Sequence, residues 1–488
     1  MTTTSTSEHT QLSKAKLTTA SIVLLVVAAS APLTVLAGGV PTNYAVSGLN
    51  GVPGTFLLLG VVFLIFTVGY GRMSSRIQNS GALYAYISEG LGNRQGIAAA
   101  ILALVSYNMM QVGLFGMFGF SGANLVEALT GVSVPWWVVG GLGWLIIGFL
   151  GMKNVDFSAK VVGVIVVLGV AIVLVVAVLG LVNAPEGITA DGFLPGQIAT
   201  PGIGVLLAFT LAAFMGFESG AIYSEETVDP ERTIPKATYI AVVTIAVFYA
   251  VTSWAFTMGI GPSAIIDESV TYGPNLMFLF LESYSPALSY VAQLLFVLSL
   301  LAALIAFHNA VARYFFALGR ARILPAFFGK ASDDGAPVGG SVAQSLIAVT
   351  VVAVFVLAGF GSELGDLYPV LTLFTWMTNG AAFGVVCLLA LTGIAILVWA
   401  RREDRDAGLW RTTIAPAVSA AGLIVVAVLV VVNFDLMIGD TGPASLRWVM
   451  PGLIVATGLV GVVVGERLKR RRPEIYNHLH EQLDRIEG

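Results

Sequence analysis

Long apolar runs alternate with short polar connections along the chain. Twelve apolar segments stand out, at roughly 17–39, 52–71, 95–122, 133–151, 157–183, 201–224, 237–261, 286–308, 339–360, 367–400, 412–433 and 445–465. A helix crossing a bilayer needs about 20 predominantly apolar residues, more where it tilts. Each run is therefore read as a membrane-spanning helix, since an open sheet edge in lipid would leave backbone groups unsatisfied. The pattern predicts an all-α integral membrane protein with twelve transmembrane helices. Residues 1–13 are polar and are expected to be disordered. The first apolar run is longer than a signal-peptide core, so no cleavable leader is expected. One run, 367–400, can also be cut into two short helices.

Charge decides between those two readings. Lys and Arg concentrate on the cytoplasmic side of membrane proteins. With the N-terminus inside and twelve spans, all of the 24 basic residues except Arg447 fall on the inner side. Asp191, Asp267, Glu268, Asp366 and Asp440 fall outside. Cutting 367–400 in two would send Arg401, Arg402 and Arg405 outward. One long helix is expected, with both termini cytoplasmic in a cell membrane. The basic tail, 467–488, opens with Arg467–Arg472, which reads first as a topology-fixing cluster and second as a contact for anionic lipid.

Composition narrows the class. Of the 488 residues 57% are hydrophobic and 11% charged, against about 25% charged in soluble domains. Glycine is abundant, at 55 residues, and small residues let membrane helices pack closely. The single cysteine, Cys387, excludes an intrachain disulfide. No Cys/His cluster suggests a metal site and no GxxxxGK[ST] loop suggests ATP hydrolysis. Neither a cofactor nor a nucleic-acid partner is expected. A channel would want rings of carbonyls or charges, and an enzyme a nucleophile–base pair; neither pattern is present. A transporter driven by a gradient fits better.

Two spans are interrupted. The first reads Val27-Ala28-Ala29-Ser30-Ala31-Pro32-Leu33-Thr34, and proline removes a backbone donor. The sixth reads Phe214-Met215-Gly216-Phe217-Glu218-Ser219-Gly220. Spans five apart run in opposite directions, and paired broken helices mark transporters built from inverted repeats. Pro32 alone would be an ordinary kink; paired with Gly216-Phe217-Glu218 it points to a midplane site. Freed N–H groups there attract a carboxylate, and freed carbonyls an ammonium or a cation.

At these residues the chain resembles the amino acid–polyamine–organocation (APC) superfamily of permeases. The sixth span leads into Glu225-Glu226-Thr227-Val228-Asp229-Pro230-Glu231-Arg232-Thr233-Ile234-Pro235-Lys236-Ala237, which is similar to the family's E-E-x-x-x-P-x-R-x-I-P-x-A. Ser80-Gly81-Ala82-Leu83-Tyr84-Ala85-Tyr86, Lys153–Lys160 and the Asn309…Arg313…Pro325 stretch resemble further family segments. The resemblance implies a LeuT-type fold. Residues 14–184 would form the first five-helix repeat and 185–402 the second, inverted one. Residues 403–466 would add two C-terminal helices. It further implies alternating access by proton symport or exchange, with an amino acid as cargo, or else a polyamine or a cation. Backbone at Ala29, Ser30, Ala31 and Leu33 would hold the substrate carboxylate. Carbonyls near Val27, Phe214 and Met215, beside Gly216, would hold its amine. Phe217 or Phe214 would gate the pocket. The chain departs from the family where Ala-Ser-Ala-Pro replaces a G-x-G pattern, and where span five lacks a lysine.

Polar residues inside spans complete the candidates. Glu218 is the sharpest, because a carboxyl group in the bilayer is costly and usually functional. It can carry a coupling proton, face a cationic cargo, or cap broken-helix amides. His308 suits a proton relay, though a satisfied packing role is the stronger reading. Tyr107 and Gln111 share a helix face and either line the cavity or tie helices together. Thr375, Trp376, Thr378 and Asn379 in span ten have the same two readings. Phe307 and Trp376, with Phe214 and Phe217, would give a lining suited to a neutral cargo. Glu225, Glu226 and Arg232 would form an inner gate or a solvated loop. The pair Gly461 and Gly465 suggests a helix contact; no oligomeric state is predicted. Membrane lipids are the other expected partner.

Overall fold

A computed structural model describes residues 17–77, 82–152, 159–218, 227–332, 336–403, 408–439 and 443–477. Among these residues the protein is helical, and its extended pairing is one isolated bridge between Leu17 and Thr227. Ten helices are long and apolar enough to cross a membrane: α1 (Thr19–Ser47), α2 (Val52–Arg76), α3 (Asn93–Thr130), α5 (Val161–Val182), α7 (Pro230–Ile260), α8 (Pro286–Arg320), α9 (Val338–Gly359), α10 (Gly365–Glu403), α11 (Trp410–Val432) and α12 (Leu446–Arg471). Two shorter apolar helices, α4 (Trp136–Met152) and α6 (Ile203–Phe214), fill the remaining apolar runs. The apolar run extends to residue 224, but the α6 helix stops at Phe214 because Met215 leaves helical geometry.

Residues 365–403 form one continuous helical stretch, with a π-helical section at Pro369–Phe374. The reading as two short helices is thereby excluded. α8 runs on to Arg320, so Asn309 and Arg313 lie within a helix rather than at its end.

α3 and α10 are the most enclosed of the long helices, whereas α9 and α12 are the least buried. Both expose large apolar side chains along their length, for example Leu346, Val354 and Leu357 on α9 and Val455, Leu459 and Val463 on α12. That distribution suits lipid contact and would be an aggregation surface in water.

Close approach rests on small residues. Gly461 of α12 sits against Ala98 of α3, where a Cβ would meet the Ala98 Cα at 2.5 Å, and Gly465 sits against Arg94. The GxxxG pair thus joins two helices of one chain. Gly180 of α5 crosses α7 so closely that a side chain would overlap the Ala255 carbonyl. Overpacking of this kind costs about 1–3 kcal/mol or more. Gly180→Val is expected to lower Tm in detergent by several degrees, measured by thermal unfolding; an unchanged Tm would contradict the contact.

Candidate functional site

The break in α1 is built by three neighbouring residues. Ser30 ends the first half with its N–H bonded to Val26 O. Ala31 adopts φ 48° and ψ 69°, a left-handed conformation rare for a residue with a Cβ. Pro32 then opens the second half, where its missing N–H is harmless. A π-helical turn, Val35–Gly39, follows directly; such turns cluster at functional sites. Tyr249 of α7 holds the break from outside. Its hydroxyl donates to Ser30 O at 2.8 Å and lies 2.8 Å from Ser30 Oγ, which itself donates to Val27 O.

The break in α6 is sharper. The helix stops at Phe214, Met215 turns extended at ψ 132°, and Gly216 takes φ 103°. Glu218 follows, 3% exposed. Its Oε2 accepts the Gly216 N–H at 3.0 Å and its Oε1 accepts the Tyr107 hydroxyl of α3 at 2.8 Å. The Glu218 carbonyl accepts the Tyr70 hydroxyl of α2 at 2.9 Å. One residue therefore joins the α6 break to α2 and α3. The two breaks also touch, since a Cβ on Gly216 would lie 3.1 Å from the Ala29 Cβ.

Both breaks open on one cavity of about 80 Å³. On a comparable measure a single water needs about 10–15 Å³, so the space suits a solute of a handful of heavy atoms. Most of the wall comes from residues spaced as helix neighbours: Ala31, Val35, Gly39 and Asn43 on α1, and Phe209, Ala212 and Ala213 on α6. Met110 and Leu114 of α3, Ala303 and Phe307 of α8, and Phe374 and Thr378 of α10 add one pair each. Among the described lining residues none carries a charge.

The predicted residues separate into groups. Ala29, Ser30, Ala31, Met215 and Phe307 line the cavity. Leu33 is buried on the other side, its Cβ 3.3 Å from where a Cβ on Gly169 of α5 would lie. Phe214 and Phe217 pack at a tilt on Phe63 of α2, with centroids 5.0 and 4.8 Å away, and are not among the lining residues. Trp376 packs on Phe355 of α9, at 5.6 Å. Tyr107 is committed to Glu218, flanked by Phe307 and Tyr314. Arg232 pairs with Asp229 at 3.9 Å with 89% of its side chain exposed, a weak surface contact. Glu225 and Glu226 lie outside the described residues.

Gln111 and His308 belong to a separate buried chain of hydrogen bonds. Asn108 donates to Gln344, and Gln344 to Gln111. Gln111 Nε2 meets His308 Nδ1 at 3.3 Å, and His308 Nε2 meets Ser341 Oγ at 2.8 Å. This satisfies the histidine as a tie between α3, α8 and α9. Gly151 of α4 packs so tightly on its ring that no side chain fits there.

Of the span-ten candidates Thr378 lines the cavity, whereas sequence reasoning missed Thr34, Asn43, Phe56, Phe209 and Phe374, which line it too. A signal existed for α1: steps of four from Ala31 reach Val35, Gly39 and Asn43.

A family model described as amino acid permease matches residues 17–463. Branched-chain amino acid permease BcaP of Lactococcus lactis is 25% identical over 330 residues, 63% of this chain and 69% of the relative. Low-affinity putrescine importer PlaP of Escherichia coli is 24% identical over 324 residues, 64% and 69% respectively. Putrescine transporter PotE of Haemophilus influenzae is 23% identical over 359 residues, 71% and 79%.

Proposed function

The chain belongs to the amino acid permease family, and on that premise we propose that it is a secondary transporter of small neutral amino acids. The carrying observation is that both helix breaks face one small cavity whose described lining holds no charged side chain. The first turn of a helix leaves N–H groups without intrahelical acceptors. In the second half of α1 these are Leu33 and Thr34, Pro32 having none. They sit at the positive end of the half-helix and would hold a carboxylate. The last carbonyls of α6, ending at Phe214, would hold the ammonium. A zwitterion thus supplies its own charge balance.

A diamine would place a second ammonium in the cavity without a counter-charge, which is strongly unfavourable. Glu218 does not meet that need, since it is not among the residues that line the cavity. This favours an amino acid over a polyamine or a metal cation.

The proposed architecture takes all twelve apolar helices as spans, α4 and α6 included, with both termini cytoplasmic. Residues 14–184 and 185–402 form two inverted five-helix repeats, and alternating access moves around the paired breaks. Glu218 is the proposed proton carrier for symport, with exchange as the other mode.

The test is uptake into proteoliposomes of labelled alanine, serine, valine and putrescine, with and without an inward proton gradient. Uptake of the neutral amino acids, with putrescine at background, is expected. Putrescine uptake with amino acids at background would overturn the assignment. Tyr249→Phe removes the donor to Ser30 O and leaves a buried carbonyl short of a partner, at about 1–3 kcal/mol. It is expected to lower alanine uptake roughly tenfold while the protein stays monodisperse; full activity would show that Tyr249 does not hold the break.

A further inference from the structure

A second cavity, which shares no lining residue with the one at the breaks, lies between α4 and α9. The two helices flank an apolar groove of about 320 Å³ floored by Phe115 of α3. Gly140 and Gly141 open it on the α4 side: a Cβ on Gly141 would meet nothing within 4 Å. Along α4 the lining runs from Trp137 to Trp144, and along α9 from Val349 to Leu357. At 1.5 Å per residue these stretches span about 10–12 Å, the length of a substantial part of an acyl chain. Leu357, at the rim, is 70% exposed, so no described part of the protein covers the groove there.

The groove continues into a polar cavity of about 370 Å³, which shares Trp137 and Val356 with it. Two chemistries meet there. Glu127, in the last turn of α3, and Asp366, at the start of α10, bring carboxylates from separate elements. Ser133, Val134 and Pro135 lead into the first turn of α4 and form the facing wall. First-turn amides lack intrahelical acceptors and favour a phosphate. Trp136 and Trp137 stand at the junction of apolar and polar space, the setting tryptophan prefers at a membrane–water interface.

The start of α4 and the two carboxylates thus line one polar cavity, and the apolar groove adjoins it through Trp137 and Val356. We infer that this is a binding site for phosphatidylethanolamine. One acyl chain lies in the α4–α9 groove, the phosphate meets the start of α4, and the ammonium meets Glu127 and Asp366. A lipid whose headgroup is net negative lacks the group that the two carboxylates recognise. α4 and α9 pack on α3 and α8, so occupancy bears on stability without touching the transport cavity, and the site stands independently of the cargo.

The test uses the full-length chain, delipidated in detergent. Thermal unfolding is followed while phosphatidylethanolamine or phosphatidylglycerol of matched acyl chains is added. Phosphatidylethanolamine is expected to raise Tm by several degrees and phosphatidylglycerol to have little effect, as ligand linkage requires. Glu127→Gln with Asp366→Asn, both at exposed positions, is expected to erase the headgroup preference. Gly141→Leu, which projects into open groove, is expected to weaken stabilisation by phosphatidylethanolamine. Equal stabilisation by both lipids, or a preference that survives the double substitution, would overturn the site. Native mass spectrometry gives a reading independent of stability. A retained phosphatidylethanolamine that is lost in Gly141→Leu supports the site; identical lipid retention in both proteins refutes it.

Discussion

Glu218→Ala is expected to reduce transport by about a hundredfold or more, and Glu218→Gln to separate coupling from structure. The carboxylate accepts the Tyr107 hydroxyl and the Gly216 N–H while 3% exposed. Hydrogen bonds to a charged group contribute about 1.5–3 kcal/mol each, and orphaned buried donors are costly in their own right. Alanine removes both acceptors, so the α6 break loses its tie to α3. Glutamine behaves differently. Turned suitably, its Oε1 accepts the Gly216 N–H and its Nε2 donates to the Tyr107 oxygen, so the shape of the break survives. What glutamine lacks is a titratable proton. If Glu218 carries the coupling proton, Glu218→Gln retains exchange of internal for external alanine but no longer accumulates alanine in response to a proton gradient. Exchange and gradient-driven uptake are measured on the same proteoliposomes. Gradient-driven uptake that survives in Glu218→Gln, alongside inactive Glu218→Ala, would make Glu218 a structural tie and locate coupling elsewhere. Normal transport by Glu218→Ala would remove it from the mechanism altogether.

Much of this site could be read from the residues because helix breaks are written in backbone chemistry. Pro32 and Gly216 announce where hydrogen bonding is interrupted, and Ala29, Ser30, Ala31 and Met215 do line the cavity. Charge asymmetry settled that 367–400 is one helix, and the continuous stretch at Gly365–Glu403 agrees. Side-chain direction beyond a break was not legible. Phe214 and Phe217 suit a gate by composition, yet the turn through Met215 and Gly216 sends both rings onto Phe63. Tyr107 and Gln111 share a helix face in sequence but serve different partners, because the α6 break brings Glu218 to Tyr107 while α8 brings His308 to Gln111. The role of Tyr249 was equally hidden. It lies 219 residues from Ser30, and nothing local marks it. Helix ends were also poorly legible: α8 and α7 run past the apolar limit because charged residues at a span's end can remain helical in water or headgroups.

Gly216→Ala is the second large effect expected, and it divides into two physical parts. Gly216 holds φ 103°, a region that residues with a Cβ enter at about 1–3 kcal/mol. The added methyl would also sit 3.1 Å from the Ala29 Cβ, tighter than ordinary van der Waals contact between carbons. Together these are expected to lower alanine uptake by about tenfold or more, with a matching fall in Tm. Ala29→Gly removes the opposing methyl but leaves the dihedral unchanged. The double variant Ala29→Gly with Gly216→Ala is therefore expected to recover part of the loss, and the recovered part measures how closely the two breaks press together. Recovery larger than any effect of Ala29→Gly alone is the coupling signature, because residues in contact are non-additive and distant ones add. A strictly additive pair would mean that the breaks do not bear on each other in the transporting protein. Full activity of Gly216→Ala would mean that the left-handed turn after Met215 is dispensable for transport, and the paired-break site would lose its central hinge.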